Sequence, residues 1–551
     1  MIFAGNMEAE SKADHLLRAK GVAALTLWQD RPGTVALSIL GIAAVCALAL
    51  ALPGATVTAK YLPDLFVILD GAYRAAAGQV PSRDFHTLLG PLVHYLPAIG
   101  YLLTGNLGSA LPVGTALFLV LLAPAMAHVL SSRLRATIAL PFALFLILIA
   151  AVPINLGETI TSLSFARFYN RIGWVALATL LIMYLPPEKV RRRGELFDAL
   201  AAALLVLVLL YMKATYAVVA LLFLAFPLLD ARQRRWAALA LAITVAAALL
   251  VEMLWRSSSA YAADLLLAAR VSGGLRGTLG QITEHLLRNL ADSVLFALVA
   301  GLAVWRTRSP RDLLFFLFCA VFGFLIINQN LQTWGIVSLY AGAAVAAERL
   351  ARTEDTATGG SWPIGLGAPL FLLALVLPTT VHCALALGMH AALAGARGGQ
   401  EAGLPAMQNV RLVHLWTWGE HESASRYLSS LRDGAAALQA LDPAPRHVFV
   451  LDIANPFSAG LGLEPARGDT HWLLWGRTLD AGHFVPPEQL LAGARMVMEP
   501  KPAPNAKQPL TEPASARAIE GLRQIYGPYI AAHFDLVGET EGWKVYRRRE
   551  G

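Results

Sequence analysis

Two carboxylates, Asp64 and Asp70, follow closely on an apolar run, and a polar stretch continues behind them: Tyr73-Arg74, then Gly78 to His86 with Pro81, Arg83, Asp84 and Phe85, then Gly90-Pro91. A carboxylate at a membrane interface is partly desolvated, which favours a perturbed pKa. Beside an acceptor hydroxyl such a group can act as a general base. The structural alternative is a polar loop whose acids cap helices and pair with arginines. A second polar stretch, 153–173, carries Glu158, Arg167, Tyr169, Asn170 and Arg171. Arg167 and Arg171 are four apart, so on a helix they would share one face. Two guanidiniums there suit a phosphate, because Arg donates bidentately and keeps its charge; lipid headgroups or the acids of the first stretch are the other partners. Lys213 interrupts the apolar segment 199–229. An ionisable group there is costly unless it reaches an interface or a partner, and snorkelling is the plain alternative. Asn328-Gln329-Asn330 ends another apolar run, as a helix cap or as part of a cavity wall. The stretch 256–289 holds Tyr261, Asp264, Arg270, Arg276 and Gly273-Gly274, and reads as amphipathic and mobile, a gate rather than a catalytic loop.

The elements that must position these groups are membrane helices. Of 551 residues, 56% are hydrophobic and 15% charged, against roughly 45–50% and 25% for soluble chains. That composition excludes a simple soluble globule, a disordered chain and a coiled coil. Apolar runs fall near 33–52, 110–131, 136–153, 172–186, 198–212, 214–229, 236–254, 290–305, 312–328, 332–348 and 363–392, about eleven spans, some short for a bilayer. The run 88–105 contains Gly90, Pro91, His94, Pro97 and Gly100 and reads as interfacial or re-entrant. Not counting it as a span leaves basic residues in every cytoplasmic loop: Arg133 and Arg135, Lys189 with Arg191–Arg193, Arg232 to Arg235, Arg306 to Arg311, and Arg349 with Arg352. The N-terminus is then cytoplasmic. The first loop, 53–109, and a soluble tail lie on the other side. The domain reading is a cytoplasmic segment 1–32, a transmembrane domain 33–394 and an extracytoplasmic α/β domain 395–551.

Within the tail, 446–452 reads as a strand, 421–441 and 515–533 as helices, 535–538 with 543–547 as a hairpin, and 499–513 as a proline-rich loop. Trp416, Trp418, Trp472 and Trp475 could stack on sugar rings or serve as core and interface residues. The three cysteines, Cys46, Cys319 and Cys383, sit in apolar runs and indicate no disulfide framework. Two loosely spaced histidines, His86 and His94, make a weak case for a metal site. The net charge of +7 fits basic cytoplasmic loops without invoking nucleic acid.

The stretch 61–95 resembles the first external loop of GT-C fold glycosyltransferases, which use lipid-phosphate-linked sugars and include protein O-mannosyltransferases and aminoarabinose transferases. An acid after the first span, an aromatic-Arg pair about ten residues on, then G-x-x-P-x-x-D-F and a Gly-Pro opening are matched by Asp64, Tyr73-Arg74, Gly78, Pro81, Asp84, Phe85, Gly90 and Pro91. The family often has Asp-Glu at the acidic position; here it is Asp64-Leu65. The topology is similar too.

The resemblance implies a mainly α, polytopic GT-C-like bundle of about eleven spans and an inverting glycosyltransferase of the cell (inner) membrane. The donor would be a polyprenyl-phosphate monosaccharide and the acceptor a glycan, lipid or protein hydroxyl. Asp64 or Asp70 would be the base. Lys213, Arg167 and Arg171 would hold the donor phosphate, with Arg74, Asp84, His86 and Glu158 in support. No obligatory metal is expected, although some family members use a divalent ion such as Mg or Mn. The rival class is a transporter or lipid-linked-sugar flippase, against which stand the lack of an internal repeat of spans and the long external tail. An O-antigen-type polymerase or ligase would carry its arginine-rich loop late in the chain rather than first.

Overall fold

The structure, a computed structural model, describes residues 32–188, 193–272, 279–330, 332, 334–355, 364–416, 418–501 and 513–550. The N-terminal segment 1–31, Lys189 to Arg192, Gly273-Gly274, Arg276 and most of the proline-rich loop 499–513 lie outside the described residues.

Each apolar run forms a helix. Seven are long and apolar enough to cross a membrane: Pro32–Ala51, Leu107–Arg133, Gly194–Met212, Arg234–Trp255, Leu290–Thr307, Pro310–Gln329 and Gly367–Gly395. Shorter apolar helices are Leu92–Thr104, Ala136–Ala151, Phe168–Ile182 and Ala214–Leu228. The run at 332–348 becomes Val337–Asp355, whose end carries Glu348 and Arg352. At 13 residues, Leu92–Thr104 spans about 20 Å at 1.5 Å per residue, short of a bilayer core of about 30 Å. The helices nearest the periphery expose leucines without shielding, such as Leu254 at 79% and Leu298 at 63%. A surface of that kind is at home in hydrocarbon, not in water.

Local signals set the helix ends. The Asn106 side chain accepts from the Gly108 amide at 2.7 Å and opens Leu107–Arg133. Ser309 accepts from the Asp312 amide at 3.2 Å ahead of Pro310, which needs no donor at the first helical position.

At one end of the bundle, buried ion pairs and a hydrogen bond tie helix ends together. Arg133 meets Asp198 at 2.8 Å, His128 meets the same carboxylate at 2.7 Å, and Arg352 Nη2 donates to the Arg133 carbonyl at 2.6 Å. At the other end sits the tail. A three-stranded sheet, order β1-β3-β2, joins the two parts: β1 (Thr56–Thr58) of the first loop pairs in parallel with β3 (Val410–Leu412), which pairs with β2 (Gln400–Glu401). The second sheet, order β4-β5-β7-β6, is mixed: β4 (Val448–Val450), β5 (Met496–Pro500), β6 (Phe534–Glu539) and β7 (Trp543–Arg548). Helices Trp418–Leu441 and Pro513–His533 pack beside it. The expected strand, helices and hairpin are present. β5 is a departure from the sequence reading, which began its loop at Glu499; Met496, Val497 and Met498 are buried between β4 and β7.

Candidate active site

The helix Leu62–Ala76 carries both acids. Tyr61 precedes it in the left-handed region, at φ 57°, Pro63 lies in its first turn, and Asp64 is the acid of that turn, where a negative charge meets the positive end of the helix dipole. Asp64 lines a small cavity with Leu89, Arg167, Tyr169, Asn330, Trp472 and Arg477. Arg167 Nη2 donates to Asp64 Oδ2 at 3.3 Å, and its guanidinium lies 4.8 Å from the Tyr61 ring centre. Arg167 is not in the helix that follows. It precedes Phe168–Ile182 with φ 59°, also left-handed. The expected shared helix face with Arg171 therefore does not form, because the turn is broken between them.

Lys213 occupies the break between Gly194–Met212 and Ala214–Leu228, with an extended backbone at φ −161° and ψ 121°. Its ammonium is buried. Lys213 Nζ donates to Asn170 Oδ1 at 3.0 Å and to Asn330 Oδ1, and lies 5.3 Å from the Tyr169 ring centre. Asn330 Nδ2 in turn donates to Tyr216 Oη at 2.9 Å. Among the described residues the lysine finds amide oxygens rather than a carboxylate, so its charge is available to an anion. Gly90 explains part of the motif. Its amide donates to the Met212 carbonyl at 3.0 Å, and a Cβ there would stand 2.1 Å from the Tyr211 carbonyl oxygen. Only a glycine lets the first loop press on the helix end that presents Lys213.

A second cavity, of ≈ 150 Å³, lies against the first and shares Arg167 and Asn330 with it. Its further walls are Tyr61, Asn155, Glu158, Asn170, Arg171 and Gln332. Glu158 accepts from Tyr61 Oη at 2.5 Å and faces Lys60 Nζ at 3.5 Å. Arg171 is 1% exposed, and its Nη1 donates to the Ile154 carbonyl at 2.8 Å.

Four residues grouped with this site by the sequence reading stand elsewhere. Asp70 is fully buried, lines neither cavity, and accepts from Arg74 Nε at 2.7 Å. Arg74 also donates to both carboxylate oxygens of Asp469, at 2.6 and 2.9 Å, and to the Ala466 carbonyl at 3.0 Å. This triad clamps the first loop to the tail. Burial pushes the Asp70 carboxyl up to about 6, against the pull of Arg74. Asp84 accepts from the Val80 amide at 2.8 Å and closes its own turn. His86 Nδ1 meets Asp264 Oδ1 at 2.7 Å, while Asp264 Oδ2 accepts from the Thr87 amide at 2.9 Å. That pair faces a third pocket, on the far side of Trp472. Among the described residues of 256–289 there are two helices, Ser258–Ser272 and Leu279–Arg288, the first tied down by Asp264.

The structure adds residues the sequence reading left aside. Asp469 and Arg477 lie in the tail at 395–551, whose chain distance from the first loop hides any pairing. Asn330 was visible as a polar helix end, and Trp472 as a candidate for stacking. Among the described residues no cluster of three His, Cys, Asp or Glu side chains is disposed to hold a metal; Asp64 faces an arginine rather than a second acid.

No protein-family model matches the sequence, and no curated protein matches it. Crystal structures similar in fold include ArnT from Cupriavidus metallidurans in the apo state, with TM-score 0.44 and 12% identity over 92% of this chain and 97% of that one, and the same protein bound to undecaprenyl phosphate, with TM-score 0.45 and 13% identity over the same shares.

Proposed function

We propose that this chain is an inverting glycosyltransferase that moves a monosaccharide from a polyprenyl-phosphate donor to an acceptor hydroxyl on the outer face of the membrane. The observation that carries the reading is the pairing of a lone carboxylate with several cations in one recess: Asp64 faces Arg167, with Arg477 in the same wall and Lys213 held behind Asn330. The recess lies where several apolar helices begin or end, and in this reading a membrane-anchored lipid presents its phosphate there.

In this reading Asp64 takes the proton of the acceptor hydroxyl as its oxygen attacks the anomeric carbon. The new carbon–oxygen bond forms as the bond to the lipid phosphate breaks on the opposite face, which inverts the anomer. Polyprenyl phosphate leaves with the bonding pair. Lys213, Arg167 and Arg477 offset the charge that develops on it, where a partly dehydrated cation acts most strongly. The Arg167–Asp64 contact at 3.3 Å is long for a charged pair, so the arginine can turn to the phosphate and leave the carboxylate to the acceptor. Trp472 offers an apolar ring face in the same wall, suited to a sugar.

The test uses purified protein in detergent with a panel of polyprenyl-phosphate sugars and with membrane glycolipids, glycans or protein as acceptors, with and without EDTA, and follows thermal shift and release of polyprenyl phosphate. Release by one donor, lost in Asp64→Asn without loss of thermal stability, supports the reading. Stabilisation by a soluble solute with no response to any lipid-phosphate sugar would replace it with a transporter.

A further inference from the structure

Two tryptophans of the tail stand uncovered. Trp416 is 76% and Trp418 77% exposed, although Trp is highly buried on average. Trp416 also has φ 60°, a left-handed backbone that a bulky residue seldom adopts. Neither lines the cavities described above. The ring centre of His414 lies 4.2 Å from that of Trp418 and 5.0 Å from that of His421, so imidazoles flank the pair on one side.

Their depth follows from the helix Gly367–Gly395. At 29 residues it is about 43 Å long, more than a hydrocarbon core of about 30 Å. Leu370, Leu377, Val381 and Leu385 are exposed along it. Beyond Leu385 the exposed positions are the small residues Gly388, Ala392 and Gly395. The hydrocarbon edge therefore falls near Leu385. His390, past that edge, accepts from the Val57 amide at 3.4 Å. His382, about 12 Å back along the helix, meets the Glu158 carbonyl at 3.2 Å, and the Glu158 side chain faces Lys60 Nζ at 3.5 Å. The chain from Val57 to Lys60 thus descends towards the membrane. β3 lies parallel to β1, with Leu412 opposite Thr58, so it descends too, and Trp416 and Trp418 follow its membrane-side end. Lys60 Nζ also meets Glu420 at 3.1 Å, which ties the first turn of the helix Trp418–Leu441 to the same level.

An indole is apolar with a single N–H donor, and tryptophans concentrate where hydrocarbon gives way to headgroups. We propose that Trp416 and Trp418 form a wedge that inserts into the headgroup zone of the leaflet on the tail side and docks the tail onto lipid. The partner is the lipid surface, whichever reaction the site performs. The wedge is continuous with the lipid-facing side of Gly367–Gly395. Its hold is apolar rather than ionic, because the one lysine beside it, Lys60, is already paired with Glu158 and Glu420.

The experiment places the full chain in nanodiscs of phosphatidylethanolamine, with and without phosphatidylglycerol. Trp418→Cys carries a nitroxide. The native cysteines are buried, and unaltered protein taken through the same labelling gives the background. Collisions of the nitroxide with oxygen and with a water-soluble nickel chelate are read by EPR, with Glu541→Cys, in the exposed turn between β6 and β7, as the aqueous reference. At position 418 nickel collisions should be suppressed and oxygen collisions raised relative to position 541, equally in both lipid mixtures. A label-free reading accompanies it: lipid brominated near the headgroup should quench the fluorescence of unaltered protein by a larger fraction than that of Trp416→Phe/Trp418→Phe. This second reading decides alone if Trp418→Cys does not fold. Nickel access at 418 equal to that at 541 overturns the proposal. So does protection that appears only with anionic lipid, or only on adding a soluble glycan, which would make the pair a sugar-stacking surface. Dipolar broadening between nitroxides overturns it as well, in favour of a contact between two copies of the chain.

Discussion

Replacing Asp70 by Asn separates a structural carboxylate from a catalytic one. The Asp70–Arg74–Asp469 triad buries two carboxylates on one guanidinium, so it holds one negative charge too many. The excess shows at Asp70, whose Oδ1 has no partner among the described residues and whose carboxyl burial pushes from 3.8 up to about 6. Raised in the folded state, this group keeps its proton where the unfolded chain has lost it. Its contribution to stability is therefore greatest below pH 4 and falls as pH rises towards 6. Displacement from 3.8 to about 6 amounts to about 3 kcal/mol at neutral pH, an upper figure. Asp469, also pushed up by burial, titrates with it, so the measured slope belongs to the pair. Asp70→Asn should thus raise thermal stability at pH 7.5 relative to the unaltered protein, show little gain at pH 4.5, and keep transferase activity. Arg74→Met should do the reverse, leaving two uncompensated carboxylates at a cost of about 3–5 kcal/mol. The assay is thermal unfolding in detergent at the two pH values, alongside donor turnover. Equal destabilisation of Asp70→Asn at both pH values would refute the excess-charge account. Loss of turnover in a stable Asp70→Asn protein would return Asp70 to the catalytic role.

Other outcomes follow from the same geometry. Asp64→Asn should lower kcat by about 10²–10⁴, the usual contribution of a general base, with an unchanged unfolding temperature; turnover near the original level would remove Asp64 from the mechanism. Lys213→Ala should abolish stabilisation of the protein by a polyprenyl-phosphate sugar, read by thermal shift. Gly90→Ala should displace the helix end before Lys213 and cost up to about 100-fold in kcat/KM, since its Cβ would meet the Tyr211 carbonyl oxygen at 2.1 Å; an unimpaired variant would show that the loop does not set the lysine's position. Burial opposes a charge on His86, but the Asp264 carboxylate, with Asp469 nearby, holds the imidazole above its usual value. Its tie to the Ser258–Ser272 helix is complete below pH 6.5 and is lost as pH rises through the raised value. Hydrogen exchange in that helix should therefore be slower at pH 6 than at pH 8.5, and an absence of pH dependence would discount the tie.

Much of the helical framework was legible because apolar composition alone decides which segments enter hydrocarbon: every predicted run became a helix. Lys213 was legible as a charge that apolar surroundings cannot leave unassigned, and it forms the break between two helices. The choice between Asp64 and Asp70 was not made in the sequence, although helix geometry bears on it. Six residues along a helix turn about 120° from one face to another. That rotation sends Asp64 to the recess and Asp70 to the interface with the tail. The left-handed turn at Arg167 overrode the simple i, i+4 expectation for Arg171, and led one arginine to Asp64 and the other to its own cavity wall.

The sequence by itself determined the solvent of this protein, its helices and the polar loops that collect at helix ends, because these depend on local composition and hydrogen-bond periodicity. Tertiary structure alone decided which charges meet. Arg74 finds Asp469 and His86 finds Asp264 across long stretches of chain, and the tail supplies Trp472 and Arg477 to the wall opposite Asp64. Such pairings are set by the packing of whole helices and sheets, and the residues flanking each partner carry no trace of them.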